Sequence, residues 1–244
     1  MKAKVITIID DNSSVATANR LIESSKKVEN DFVIETFEAS TPSSVKSEML
    51  FYQLSWNYPW NGQEIVDFAT GLTKEGYRTA VPEKRIACFL SHYRLWLECI
   101  VQEEDFLIFE HDAVFTRKLN TNILESSNKS VVALNRPQGG ATPRAALYQQ
   151  KIEEAAAAPI RSRTPPDTVV DVPYVRSQAR PAGLPGNSAY YLRPSGAKKL
   201  VSLVHDYGAW PNDAIMCKQL MPRALGCLYP AATIVQVEKS STTL

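Results

Sequence analysis

The chain lacks any apolar run approaching the ~20 residues that a membrane-spanning helix needs, so an integral membrane segment is not expected. The opening Met-Lys-Ala-Lys-Val-Ile-Thr-Ile-Ile-Asp is basic, but its apolar stretch is too short for a secretory leader and reads as a first strand. The cysteines Cys88, Cys99, Cys217 and Cys227 have no C-x-x-C spacing. That pattern suggests neither a zinc ribbon nor a disulfide framework, and it points to a reducing cytoplasm. A net charge of +1 removes any general pull toward nucleic acid or membrane. What remains, 44% hydrophobic and 22% charged over 244 residues, suits one large domain of the globular kind.

Strand and helix patterns alternate. Val5 to Ile9 is an apolar strand, and Asp10-Asp11-Asn12-Ser13-Ser14 supplies caps for a helix to about Lys27. A second strand runs from Phe32 to Ala39. The strongest helix lies near 84–102, where Ile86, Phe89, Leu90, Tyr93, Trp96, Leu97, Ile100 and Val101 recur at three- and four-residue spacing. Strands are expected at 106–110, 131–134 and 188–192. A helix then opens at Pro194-Ser195-Gly196, another runs from Trp210-Pro211-Asn212-Asp213 to about Met221, and a last strand covers about 231–237. Such alternation predicts an α/β fold with a mainly parallel sheet and helices on both faces.

Two stretches have no clear period. Residues 41–82 read as an irregular, partly helical insertion whose Trp56, Tyr58 and Trp60 either pack locally or stack on sugars and bases. Residues 136–186 are rich in Pro, Gly and Ala and read as a long mobile loop with a short helix near 145–157. Arg136, Arg144, Lys151, Arg161, Arg163, Arg176 and Arg180 make it basic, fitting a solvated surface loop or a flap that faces phosphate.

The chemically suggestive segment is Phe106-Leu107-Ile108-Phe109-Glu110-His111-Asp112. A buried strand ends there in carboxylates two residues apart, and alternate residues of an extended chain face the same way. Glu110 and Asp112 are therefore candidate ligands for a hard cation, Mn²⁺ or Mg²⁺. Exposed strand ends also carry such residues with no ion at all. On the long helix, Cys88 and His92 have the i, i+4 spacing of a ligand pair, but two ligands make no site, and a lone histidine there suits a core role.

Several segments together resemble glycosyltransferase family 25, the lipooligosaccharide-type galactosyltransferases and collagen hydroxylysine galactosyltransferases. Cys88-Phe89-Leu90-Ser91-His92-Tyr93-Arg94-Leu95-Trp96 is similar to its C-x-x-S-H-x-x-x-W signature. Phe37-Glu38-Ala39 resembles the F-x-A of its second strand, and Glu110-His111-Asp112 its acidic metal motif. The run from Ser188 to Leu200 resembles its A-Y-x-(I/L)-(S/T)-x-x-G-A-x-x-L block, and Val235-Gln236 with Ser240-Ser241-Thr242 its C-terminal element. The departures are His111 in place of an acid, Lys84-Arg85 where a carboxylate precedes the helix signature, and Asp10-Asp11-Asn12-Ser13 without the basic residue of the first-strand motif.

The resemblance implies a GT-A-like nucleotide-sugar-binding fold and inverting transfer of a hexose or pentose from a UDP-sugar to an acceptor hydroxyl, with Mn²⁺ or Mg²⁺ held by Glu110 and Asp112. Asp213, at a helix start, is the candidate base or else a helix cap. His92 and Ser91 either touch the sugar or brace the acidic loop. Asp10, Asn12, Ala39, Asn187, Ser188 and Lys239 are the remaining candidates for donor contact. The acceptor is left open among a glycan, a lipid-linked sugar and a modified DNA base, the last suggested by the basic loop. A module that binds sugar nucleotide or glycan without transfer is the alternative of another class.

Overall fold

The structure, a computed structural model, describes residues 1–138, 144–157, 167–184 and 187–236. In chain order the elements are β1 (Lys2–Thr7), α1 (Asn12–Lys27), β2 (Ile34–Glu38), α2 (Val45–Phe51), β3 (Glu64–Asp67), β4 (Leu72–Glu75), α3 (Pro82–Gln102), β5 (Phe106–Glu110), β6 (Ala113–Phe115) and α4 (Thr121–Ser126). Then follow β7 (Val131–Ala133), α5 (Ala145–Ala157), β8 (Thr168–Asp171), β9 (Ala189–Leu192), α6 (Pro194–Tyr207), α7 (Asn212–Ile215), β10 (Leu225–Tyr229) and β11 (Thr233–Val235).

A seven-stranded sheet in the order β2-β1-β5-β9-β7-β10-β8 forms the centre. The pairs β2–β1, β1–β5 and β7–β10 are parallel, while β9 runs against both β5 and β7, and β8 against β10. Five strands thus share one direction, as the alternating pattern predicts. The two-residue period of a strand divides the core. Phe106 and Ile108 of β5, Val131 and Ala133 of β7, and Tyr190 and Leu192 of β9 join one cluster with α3 and α6. Leu107, Phe109, Val132, Ala189 and Tyr191 join the other, against α1 and α4. Every side chain of Phe106–Phe109 is fully buried, which explains why this segment reads as a continuous apolar run.

Local chemistry sets the helix ends. The carboxylate of Asp11 accepts from the Ser13 and Ser14 amides at 2.8 and 3.4 Å, making it the N-cap of α1. Pro82 and Pro194 occupy first turns, where a missing N–H costs nothing. Trp96 of α3 has no exposed surface and packs edge-on to Phe89, a burial worth about 2–3 kcal/mol.

Three segments differ from the sequence reading. The helix expected from Trp210 to Met221 stops after Ile215, because the Lys218 amide bonds the carbonyl of Ala182 and Cys217 bridges Gly183. The stretch 136–186 holds the helix expected near 145–157 as α5, but also the unexpected edge strand β8, whose Thr168-Val169-Val170 is β-branched and pairs with β10. Within it Arg176 and Arg180 bind Glu75 and Glu64 of the β3–β4 hairpin, so these cations hold chain to chain instead of facing phosphate. The expected terminal strand is β11. It lies outside the central sheet and pairs with β6, and the unforeseen β10 joins the central sheet between β7 and β8. Residues 41–82 fold into α2 and the β3–β4 hairpin. Arg161 and Arg163 lie outside the described residues.

Candidate functional site

The strands β1, β2 and β5 are parallel, so their carboxyl ends meet on one edge of the sheet, where ligands of open α/β sheets gather. Glu110 ends β5 with the parity of Phe106 and Ile108 and so faces α3. On α3, Arg85, Cys88 and His92 fall on one face at spacings of three and four. His92 is buried, its Nε2 lying 3.1 Å from Glu110 Oε1 and its Nδ1 2.9 Å from the Tyr190 hydroxyl. Trp96 Nε1 donates to the same hydroxyl at 2.9 Å. The indole can only donate, so Tyr190 accepts from it and gives its own proton to Nδ1, which leaves the imidazole proton on Nε2 for Glu110. Burial works against ionisation of Glu110. The hydrogen bond from His92, with the charges of His111 and Arg85, outweighs it and holds the carboxyl below its usual range.

Asp112 has the opposite electrostatics. Burial, then the charge of Glu110, push its carboxyl up to about 7, against a hydrogen bond from the Ser188 hydroxyl. Its Oδ1 is buried with no partner. The backbone around it is well held: the Gln236 amide donates to the Asp112 carbonyl at 2.7 Å, and the Gln236 side-chain amide donates to the Ala113 and Thr17 carbonyls. The Glu110 amide donates to the Ser188 carbonyl at 2.7 Å, fixing the start of β9 against the end of β5. Asn187, next to it, is buried with both side-chain amide atoms unpartnered. His111 is held below its ordinary pKa, chiefly by burial.

Asp213 stands in the first turn of α7. The N-cap position there is Pro211, so the carboxylate does not serve as the cap. Tyr77 donates to its Oδ2 at 3.1 Å, and its Oδ1 is buried and unpartnered. Burial raises its pKa and the nearby Arg85 opposes the rise. The Arg85 guanidinium lies 4.6 Å above the Tyr77 ring, and Tyr58 stacks on the same ring.

Asp10 and Ala39 line a common cleft of about 750 Å³ with Ile8, Ile9, Glu38 and Arg94, a size that accepts a small-molecule ligand. Asn12 is exposed in the first turn of α1 and is not part of the cleft lining. Ser91 is buried, accepts from the Ser40 amide and donates to the Ala87 carbonyl, tying α3 to the chain beyond β2. Lys239 lies outside the described residues. The sequence reading passed over Tyr77 and gave Arg85 no role. The signal for Arg85 was a cation at the i−7 position from His92, on a helix face otherwise bound for burial.

The model of a known family, glycosyltransferase family 25 (LPS biosynthesis protein), matches residues 16–216. Among solved structures, the apo form of mouse xyloside xylosyltransferase 1 is similar over 92% of this chain and 83% of its own, at 10% identity and a TM-score of 0.38. No curated protein matches the chain in sequence.

Proposed function

The chain belongs to glycosyltransferase family 25 and is a glycosyltransferase, and from that premise we propose inverting transfer of a hexose or pentose from a UDP-sugar to an acceptor hydroxyl. The observation that carries the reading is the pair of buried, unpartnered carboxylate oxygens, Asp112 Oδ1 and Asp213 Oδ1, at one edge of the sheet. A buried polar atom without a partner costs stability, so its retention favours a ligand at that point.

The two carboxylates suit different tasks. Asp112 has a free oxygen and a negative neighbour in Glu110, an arrangement that is unfavourable until a cation joins it. The donor set therefore fits Mn²⁺ or Mg²⁺, held by Asp112 with Glu110. Such an ion, when bound, neutralises negative charge on a leaving diphosphate. Asp213 is the proposed base. In an inverting transfer the acceptor oxygen forms its bond to the anomeric carbon as the bond to the diphosphate breaks. The electron pair leaves with the diphosphate, and the acceptor proton passes to a carboxylate. Burial raises the basicity of Asp213, and Tyr77 and Arg85 oppose the rise.

The remaining residues position. The cleft holding Asp10 and Ala39 is the proposed nucleotide site. Asn187 and Ser188 present a buried amide and a hydroxyl beside Asp112, suited to donor hydroxyls. His92 fixes Glu110 through one oxygen, acting behind the donor. Among the described residues no helix is long and apolar enough to cross a membrane. The acceptor is a hydroxyl, on a glycan, a lipid-linked sugar or a modified base.

The test is binding and slow hydrolysis across a panel of UDP-sugars, with Mn²⁺ or with chelator. Metal-dependent binding and turnover of one donor is the expected result. Failure of every UDP-sugar would overturn the donor assignment and favour the module that binds without transfer.

A further inference from the structure

The fold supplies a third group to the Cys88 and His92 pair of α3. Cys88 Sγ, His92 Nε2 and Glu110 Oε1 all lie within 4.8 Å of one another. His92 Nε2 is 3.1 Å and Cys88 Sγ 4.0 Å from Glu110 Oε1. Around tetrahedral zinc, with Zn–S near 2.3 Å and Zn–N and Zn–O near 2.0–2.1 Å, ligand atoms stand roughly 3.3–3.8 Å apart. The His92–Glu110 separation lies just below that span and the Cys88–Glu110 separation just above it. We propose that Cys88, His92 and Glu110 form a thiophilic metal site for Zn²⁺, separate in its chemistry from the hard-ion role of Asp112.

Three features carry it. A thiolate, an imidazole and one carboxylate are a borderline-soft donor set, which Mg²⁺ does not favour and Zn²⁺ does. His92 already has the outer partner that a metal-bound imidazole requires. Its Nδ1 meets the Tyr190 hydroxyl, itself fixed by Trp96, so ring orientation is set in advance. Cys88 is partly exposed as a residue, while Cys99, Cys217 and Cys227 are buried. Asn212 Oδ1 lies 3.7 Å from Cys88 Sγ, a further polar atom beside the three donors.

Binding balances simply. Cys88 loses its thiol proton to solvent as the Zn–S bond forms. The imidazole proton moves from Nε2 to Nδ1, the Tyr190 hydroxyl turns its own proton off Nδ1 so that its oxygen accepts the new N–H as a hydrogen bond, and Nε2 takes the metal. Glu110 changes partner from that N–H to the ion. Because the site draws on Glu110, Zn²⁺ occupancy pulls this carboxylate toward α3 and away from Asp112. That last consequence rests on the proposed function, whereas binding itself does not.

Co²⁺ replaces Zn²⁺ and reports a thiolate ligand through a sulfur-to-cobalt charge-transfer band in the near ultraviolet. The test titrates the purified full chain, first stripped with chelator, with Co²⁺ and then displaces the colour with Zn²⁺. A band of one thiolate per chain, bleached by Zn²⁺ and absent in Cys88→Ser, is expected. In the unaltered chain, Zn²⁺ should also slow alkylation of Cys88 at least tenfold, read by mass of the Cys88 peptide, so the outcome does not depend on how the variant folds. No charge-transfer band, a band surviving in Cys88→Ser, or alkylation unchanged by Zn²⁺ would overturn the site. A bound Zn²⁺ with no UDP-sugar activity under any condition would leave the site standing and remove the UDP-sugar assignment.

Discussion

The phenol of Tyr77 donates to Asp213 at 3.1 Å, across a span of 136 residues in sequence. Tyr77 is held from its other side by the Arg85 guanidinium and the Tyr58 ring. Two groups that favour the ionised carboxylate therefore oppose its burial, and the other carboxylate oxygen is left free to accept a proton.

Replacing Asp213 by Asn should lower kcat by about 10²–10⁴-fold while donor affinity stays within a few-fold of the parent. Single-turnover rates set beside donor Kd decide this. Equal losses in both would remove Asp213 as the base.

Tyr77→Phe deletes a hydrogen bond that favours the ionised form, so the pKa of Asp213 should rise further. A base must be deprotonated, and the acidic limb of the kcat–pH profile should move to higher pH. An unmoved limb with lowered kcat would mean that Tyr77 only shapes the pocket.

Asp112 holds its proton in the folded chain to about pH 7, against an ordinary value of 3.8. The folded state therefore binds the extra proton between those values, and without metal its contribution to stability is full below pH ~4 and lost as pH rises through ~7. Asp112→Asn should remove that loss and stabilise the metal-free protein at pH 8 on the order of 1–3 kcal/mol, while abolishing Mn²⁺-dependent turnover. Thermal melts at pH 5 and pH 8 in chelator test the first claim. An identical pH dependence in the variant would contradict the assignment.

The same proton competes with a cation. Mn²⁺ affinity should be level above pH 7 and fall about tenfold per pH unit below it, as expected for displacement of one proton. Calorimetric titration at pH 5.5 to 8 gives the slope, and a flat profile would exclude Asp112 as a ligand.

Gly183 is a positioning element outside the carboxylates. A Cβ there would come to 2.1 Å from the Asp213 carbonyl, which is fixed backbone. Gly183→Ala should displace the start of α7, cutting turnover at least tenfold with little change in donor binding. Parent-like turnover would show that the segment yields without moving the carboxylate.

Legibility in the sequence followed burial and length. The segment Phe106–Phe109 and the helix α3 are buried on two faces or along one broad face, and both stand out as periodic apolar runs. β10 carries Gly226, where a Cβ would collide with Val169, so close packing replaced the side chain that would have marked a strand. β8 is four residues long in a Pro-rich stretch, and only its pairing with β10 gives it form. Glu110 and Asp112 were marked by alternation from a strand end, yet their different electrostatics come from His92 and from burial, which spacing does not encode. Tyr77 and Arg85 join Asp213 only through the tertiary fold, and the same holds for Glu110 completing the Cys88 and His92 pair.

The Gln236 side chain reaches back 123 residues to the Ala113 carbonyl and 219 to that of Thr17, and its amide holds the Asp112 carbonyl. On the ribosome, residues 110–112 emerge well before that clasp exists. A nascent chain can pair β1 with β5 while the acidic loop still waits for Gln236, so that loop is set only after the first folded core.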